Sequence, residues 1–316
     1  MTRYVLKRLL YSLVALFVAM SATFFIIHSV PGNPIEAMTE KLPESLRRQT
    51  FERYGFDRPL LEQYGLFWKR LLTEGDLGES LRYRGRGVGD ILSRYAPVSG
   101  VLGLTAILWG AGLGVTLGVV AALHRGRALD YAVMLLAILG VSIPNFVLAS
   151  LFQYFLAVRL GWFPVTGWGG FAHVVLPALA LSFYSTAQYA RFMRASCLDV
   201  LSQDYILAAR ARGMSRFHLV RRHVLRNAIL PIVTLLGPQI ALMFGGAFVV
   251  ERIFSVPGLG FYFVSSVGDR DYTLIMGQTV FLSALYILSI LAVDVLYGFL
   301  DPRIRFARDG GGAGWG

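Results

Sequence analysis

Six windows of this 316-residue chain run for membrane-spanning length without an Asp, Glu, Lys or Arg: Leu9–Ile35, Ala96–His124, Tyr131–Val158, Leu160–Ala190, Asn227–Val250 and Tyr272–Val293. About 20 apolar residues of helix cross a hydrocarbon core. Lipid offers the backbone no hydrogen-bond partner, so a spanning segment must satisfy its own peptide groups as a helix or in a closed barrel. The windows therefore predict an all-α polytopic membrane protein with six transmembrane helices near residues 9–29, 99–123, 132–157, 174–194, 228–250 and 278–300. Only 16% of the residues are charged, against about a quarter in a soluble globule.

Two windows need a decision. The front of the fourth, Gly161–Gly170, carries Pro164 with Trp162 and Trp168. Its glycines and proline break a helix and its tryptophans suit the headgroup zone, so it reads as an interfacial loop. The first window follows Arg3, Lys7 and Arg8, as a signal peptide would. Its apolar run, Leu9–Ile27, exceeds the roughly 7–15 residues of a cleaved h-region, so a retained helix is expected.

Charge sets the orientation. Six spans place both termini on one side, together with residues 124–131 and 191–227. With residues 1–8 and 301–316, these segments hold 16 Lys/Arg against 5 Asp/Glu; the opposite side holds 14 basic and 13 acidic residues. The positive-inside rule then predicts an N-in, C-in topology. The net charge of +11 is thereby assigned to topology and to anionic membrane lipid, and no nucleic-acid partner is expected.

The loop between the first two spans is the one sizeable soluble piece and reads as a helical cap on the outer face. Residues 1–98 are thus a first helix plus an extracytoplasmic loop. Residues 99–308 form a five-helix core, and the Gly-rich 309–316 reads as a disordered tail.

Within the spans, Ala106, Gly110, Gly114, Gly118 and Ala122 recur every four residues. Such a stripe lets a neighbouring helix approach closely in lipid and is read as packing, not as a substrate groove. Pro144 inside the third span predicts a kink. Asn145, Gln153, Gln188, Gln239 and Asp294 are the polar residues near membrane depth. Asp294 lies seven residues before Asp301 and is read as interfacial. A relay of buried carboxylates, such as a proton-coupled carrier needs, is missing.

Enzyme chemistry finds no support. The lone Cys197 excludes an internal disulfide framework and cysteine metal ligation. His218 and His223 are five apart, and neither a zinc-protease motif nor a nucleophile elbow occurs. A phosphate-binding loop needs Lys after Gly, whereas Lys7, Lys41 and Lys69 follow Leu, Glu and Trp. Any ATP-driven step must use another chain, and no cofactor or metal is expected.

Residues 204–231 form a basic interruption between two apolar spans. They carry Ala208-Ala209, Gly213 four residues later and an Asn227-to-Pro231 exit. Small residues permit close helix approach and Gly213 permits a backbone bend, which predicts a short helix, a turn and a second helix returning to the membrane. The segment resembles the cytoplasmic EAA loop that docks ABC importer permeases onto their ATPase.

The likeness extends from Arg3 to Arg305. It is carried by Arg8-Leu9-Leu10, Pro31-Gly32-Asn33-Pro34, Gly75-Asp76-Leu77-Gly78-Glu79-Ser80, Ser142-Ile143-Pro144 and Leu160–Pro164. The C-terminal part adds Glu251–Gly260, Arg270-Asp271-Tyr272 and Leu300–Arg305. Together they resemble the first permease subunit of the dipeptide/oligopeptide/nickel class of ABC importers. The resemblance implies a type I permease fold in a prokaryotic inner membrane. It also implies a second homologous permease, two ATP-binding subunits and an extracytoplasmic substrate-binding protein.

On the loop it implies an ATPase-coupling set of Asp204, Leu207, Ala208, Ala209, Arg212, Gly213 and Met214, with Ala208 and Ala209 at the closest approach. Leu207 stands where the general pattern has Glu, so a Glu-specific contact is not carried over. Peptide is the expected substrate and nickel or another small solute the alternative; a secondary carrier or channel would leave the docking loop unexplained. The topology has a direct check. A cysteine introduced at residue 45 should react with an impermeant thiol reagent from outside, and one at residue 215 only from inside.

Overall fold

The long apolar windows are helical in a computed structural model, which describes residues 2–31, 43–45, 51 and 55–300; side chains of residues 2–8, 241–246 and 294–300 are outside that description. So are residues Gly32-Asn33-Pro34, the Asp294 side chain and the stretch from 301 to 316. The helices are α1 (Thr2–Ser29), α2 (Leu60–Thr73), α3 (Val88–Leu123), α4 (Ala128–Ser142), α5 (Asn145–Phe152) and α6 (Phe171–Leu201). They continue with α7 (Asp204–Ala211), α8 (Arg216–Leu219), α9 (Leu225–Ala228), α10 (Leu230–Gly246), α11 (Phe248–Ile253), α12 (Gly260–Gly268) and α13 (Tyr272–Leu300). π-Helical turns follow α5 (Gln153–Arg159) and α8 (Val220–Val224).

Among the described residues three helices are long and apolar enough to cross a membrane, with stretches at Leu9–Ser29, Val88–Leu123 and Tyr272–Val293. A fourth crossing arises if α4 and the segment Asn145–Arg159 are taken together, but these are bent by 104°. The expected single helix at 132–157 is thus two helices. Proline disfavours helical backbone in the residue before it, and Ile143 is extended, with ψ of 123°. The expected kink is a full break. The fourth expected span lies within α6, a 31-residue helix diluted by Pro177, Ser182, Ser185, Gln188, Arg191 and Arg194. The fifth expected span corresponds to α10, Leu230–Gly246. Among the described residues, helix length and apolarity alone thus mark three or four of the six expected spans.

The chain divides into two compact units. In the first, Met1–Pro97 with Gly258–Leu285, α1 buries Met20, Phe24 and Ile27, spaced for one helix face. Against it α2 sets Tyr64, Phe67, Trp68 and Leu71, at i, i+3, i+4 and i+7. The Ser21 and Tyr64 hydroxyls meet at 2.6 Å and the Phe17 and Trp68 rings at 5.0 Å. The helix α2 of the loop between the first two spans therefore lies along the apolar run of α1. The Asp271 carboxylate, fully buried, accepts from Ser80 Oγ, from the Leu81 and Arg82 amides at 3.1 and 3.2 Å, and from the Leu274 amide at 3.0 Å. It thus caps α13 and pins the segment after Gly78-Glu79-Ser80 to the Arg270-Asp271-Tyr272 turn.

The second unit, Val98–Pro257 with Tyr286–Gly316, is organised by α3 against α6. A Cβ added at Gly114 would lie 2.6 Å from the Tyr189 Cβ; one at Gly118 would lie 2.6 Å from both the Ala190 carbonyl oxygen and the Met193 Cβ. The small-residue stripe is therefore the packing face it was read as. Polar groups at depth find partners: Gln153 Nε2 donates to the Val165 and Ile253 carbonyls at 2.9 and 2.8 Å, and Tyr189 pairs with Gln239. Ser99 Oγ donates to the buried Glu251 carboxylate at 2.6 Å. Arg194 Nε and Nη2 reach the buried Asp130 at 2.5 and 2.7 Å, tying α6 to the start of α4.

Replacing Gly118 with Val should force α3 and α6 apart and cost about 1–3 kcal/mol, the usual overpacking penalty. Thermal unfolding in detergent should show a lower midpoint than the wild type, and an unchanged midpoint would contradict the close approach.

Candidate functional site

The basic segment after α6 folds on a cluster made by α3, α6 and itself. Tyr189, Met193 and Cys197 of α6 pack with Ile206, Ala209, Leu219, Val224, Ala228 and Ile232, and all are buried. Burial of Cys197, at 1% exposed, makes it a core side chain and not a nucleophile. Part of the loop's apolar set thus anchors it from beneath, while Tyr205, Leu207, Phe217 and the loop arginines keep solvent exposure.

Local chemistry sets each turn. Asp204 opens α7, where a carboxylate complements the positive helix end. The helix closes with a paired capping arrangement: the Met214 amide donates to the Ala209 carbonyl at 3.2 Å and the Gly213 amide to the Arg210 carbonyl at 2.9 Å. That motif needs left-handed backbone at the residue just past the helix, and Gly213 has φ of +80°. Arg212 Nε reaches the Ala208 carbonyl at 3.3 Å. Ser215 then starts α8 and accepts from the His218 amide at 3.4 Å. Asn227 Nδ2 donates to Tyr205 Oη at 3.1 Å and to the His223 carbonyl at 2.9 Å, stitching α9 to α7. Arg216 Nη2 reaches the Leu123 carbonyl at 2.6 Å, joining α8 to the end of α3.

The seven residues singled out in sequence separate into three groups. Asp204, Leu207, Ala208 and Arg212 face outward. Gly213 forms the exposed turn. Ala209 is 3% exposed and Met214 half-buried, both packed inward. The small-residue pair is split: α7 turns Ala209 into the cluster with Ile206 and Met193 and leaves Ala208 exposed.

Sequence reasoning missed Phe217, 72% exposed at the loop's tip, and Tyr205, 44% exposed beside the 55% exposed Leu207. An apolar residue inside a basic loop was the available signal. No group of three or more possible metal ligands occurs among the described residues.

A side chain at Gly213 would meet nothing within 4 Å, so its cost there is purely conformational. Gly213→Val should destabilise the loop by about 1–2 kcal/mol and raise limited proteolysis at Arg210 and Arg212 by about 5–30-fold. Gly213→Asn, which tolerates left-handed backbone, should stay within about threefold of wild type. Equal resistance of all three proteins would contradict the cap.

Known proteins are similar to this chain along its length. Residues 114–306 match the family described as binding-protein-dependent transport system inner membrane component, and residues 1–89 match its N-terminal companion. The dipeptide transport system permease protein DppB of Bacillus subtilis (strain 168) is 43% identical over 310 residues, covering 98% of this chain and all of that one. The oligopeptide transport system permease protein OppB of Escherichia coli (strain K12) is 37% identical, covering 97% of this chain and all of its own. The glutathione transport system permease protein GsiC of Escherichia coli O6:H1 is 39% identical, again over 97% of this chain and all of its own.

Among solved structures, an inward-facing MetNI methionine ABC transporter superposes with a TM-score of 0.53 at 20% identity, over 67% of this chain and 96% of that one. That likeness concerns the fold, which is that of an ABC importer permease. The chain is a permease subunit and not itself a catalytic enzyme, and a system of this kind implies ATPase and substrate-binding partners. With matches over both halves and near full-length relatives, this chain belongs to the binding-protein-dependent transport system inner membrane components.

Proposed function

We propose that this chain forms half of the translocation pathway of a peptide importer, paired with a second homologous permease. In this reading one of two ATP-binding subunits docks from the cytoplasm on this chain's coupling loop near 195–227, the other on the second permease, and a binding protein delivers substrate outside. ATP is hydrolysed on those partner subunits. The observation that carries the docking role is the two-sidedness of the loop. Its inner face is buried by Ile206, Ala209 and Leu219, while Tyr205, Leu207 and Phe217 stay exposed beside Ala208 and Arg212. Exposed aromatic and aliphatic side chains amid arginines are the composition of interface anchors.

Asp204 and Gly213 would then shape the helix that enters the ATPase, and Ala209 and Met214 would hold it to α6 without touching the partner. Closure of the ATPases would pull this helix, and the bundle would switch between two packings biased by ligand at either end. The division of labour proposed is a 1–98 outer module, a 99–308 core and a tail after 308. Peptide is favoured over nickel by the names of the relatives above, among which the glutathione permease extends the range of solutes.

The test uses the assembled transporter in proteoliposomes. Leu207→Asp and Phe217→Asp change exposed side chains, so the chain should insert and fold as before. Each should lower ATPase co-purification and ATP-driven dipeptide uptake at least about tenfold, the loss of one 1.4 kcal/mol anchor. Wild-type assembly and uptake in both would contradict the docking role. ATP turnover by the purified chain alone would contradict hydrolysis on partners, and uptake of Ni²⁺ unaffected by dipeptide would contradict the substrate.

A further inference from the structure

The same loop borders an open cleft that neither packing nor docking accounts for. It has a volume of about 550 Å³ and lies between the end of α3, the end of α6 and the loop. Its lining includes three arginines, Arg125, Arg210 and Arg216, all solvent-exposed, together with apolar residues that include Leu123, Leu201 and Leu219. No carboxylate lines it among the described residues. The nearby Asp130 is already held by Arg194 at 2.5 and 2.7 Å and by the Gly126 amide at 3.0 Å. Arg216 has one N–H committed to the Leu123 carbonyl, which offsets the negative end of α3.

Three cations together with apolar residues suit an amphiphilic anion. The position narrows the class further. Leu123 ends the apolar run of α3, and the basic excess marks this end as cytoplasmic, where anionic lipid faces the protein. Guanidinium forks bind phosphate oxygens in pairs, and apolar lining residues accept the glycerol and first acyl carbons. We propose that this cleft is a binding site for the phosphate of an anionic phospholipid of the inner leaflet. Arg125 comes from beyond α3, Arg210 from α7 and Arg216 from α8, so one headgroup would bridge the loop to the membrane helix. The lipid would thereby hold the loop in register, whatever partner docks on its outer face.

The experiment is a titration of the purified full-length chain in detergent with short-chain phosphatidylglycerol, phosphatidylcholine or inorganic phosphate, followed by thermal unfolding. Phosphatidylglycerol is expected to raise the unfolding midpoint saturably, and the other two are not. Arg125→Gln combined with Arg210→Gln should weaken the apparent affinity at least tenfold; Arg216 is left intact because it also holds the Leu123 carbonyl. Arg210→Gln alone should weaken it measurably, which keeps the test valid if the double variant fails to fold. Arg221→Gln with Arg222→Gln, exposed outside the cleft, should bind as wild type. An equal loss in both double variants would show diffuse charge attraction and overturn the site. So would an equal response to inorganic phosphate, or no response to phosphatidylglycerol.

Discussion

The close approach of α3 to α6 is the constraint on which the second unit depends. In lipid there is no hydrophobic gain from bringing two apolar helices together, so contact must come from dispersion over well-matched surfaces. Gly114 and Gly118 lower the profile of α3 until its backbone lies on Tyr189, Ala190 and Met193. That contact fixes the inward face of α6. Tyr189, Met193 and Cys197 then present one apolar surface towards the cytoplasmic end, and the 204–228 loop settles on it through Ile206, Ala209, Leu219 and Val224. A stripe of small residues in one helix thus determines where a polar loop a hundred residues later stands.

The loop inherits rigidity from both sides. Its first helix ends at a left-handed glycine, its second is started by Ser215, and Arg216 and Asn227 tether it to α3 and to itself. An element that transmits motion must move as a body, and a loop with buried anchors and satisfied ends meets that requirement. In the first unit a similar economy appears at Asp271, where one carboxylate closes a helix start and holds a distant turn.

Much of this was legible in sequence because lipid imposes a coarse code. Apolar windows gave helices, and spacing of four gave the α3 packing face. Gly213 was legible because a helix followed by glycine reads as a stop. Ala209 was not, since a pair of adjacent alanines carries no periodicity to say which one turns inward; Met193 and Ile206 decide that in three dimensions. The break at Pro144 was visible, but its 104° size depends on the packing of α4 and α5 on α6. The partners of Asp130, Glu251 and Asp271 were hidden for a different reason: they lie 64, 152 and about 190 residues away.

The central claim is that the outward face of this loop meets the ATPase. Site-specific photo-crosslinking in the assembled transporter tests it most directly, with the probe placed singly at Ala208, Phe217 and, as a buried comparison, Ala209. The account predicts adducts with the ATP-binding subunit from Ala208 and Phe217 and none from Ala209. Adducts from Ala209 alone, or from none of the three while the complex hydrolyses ATP, would contradict it.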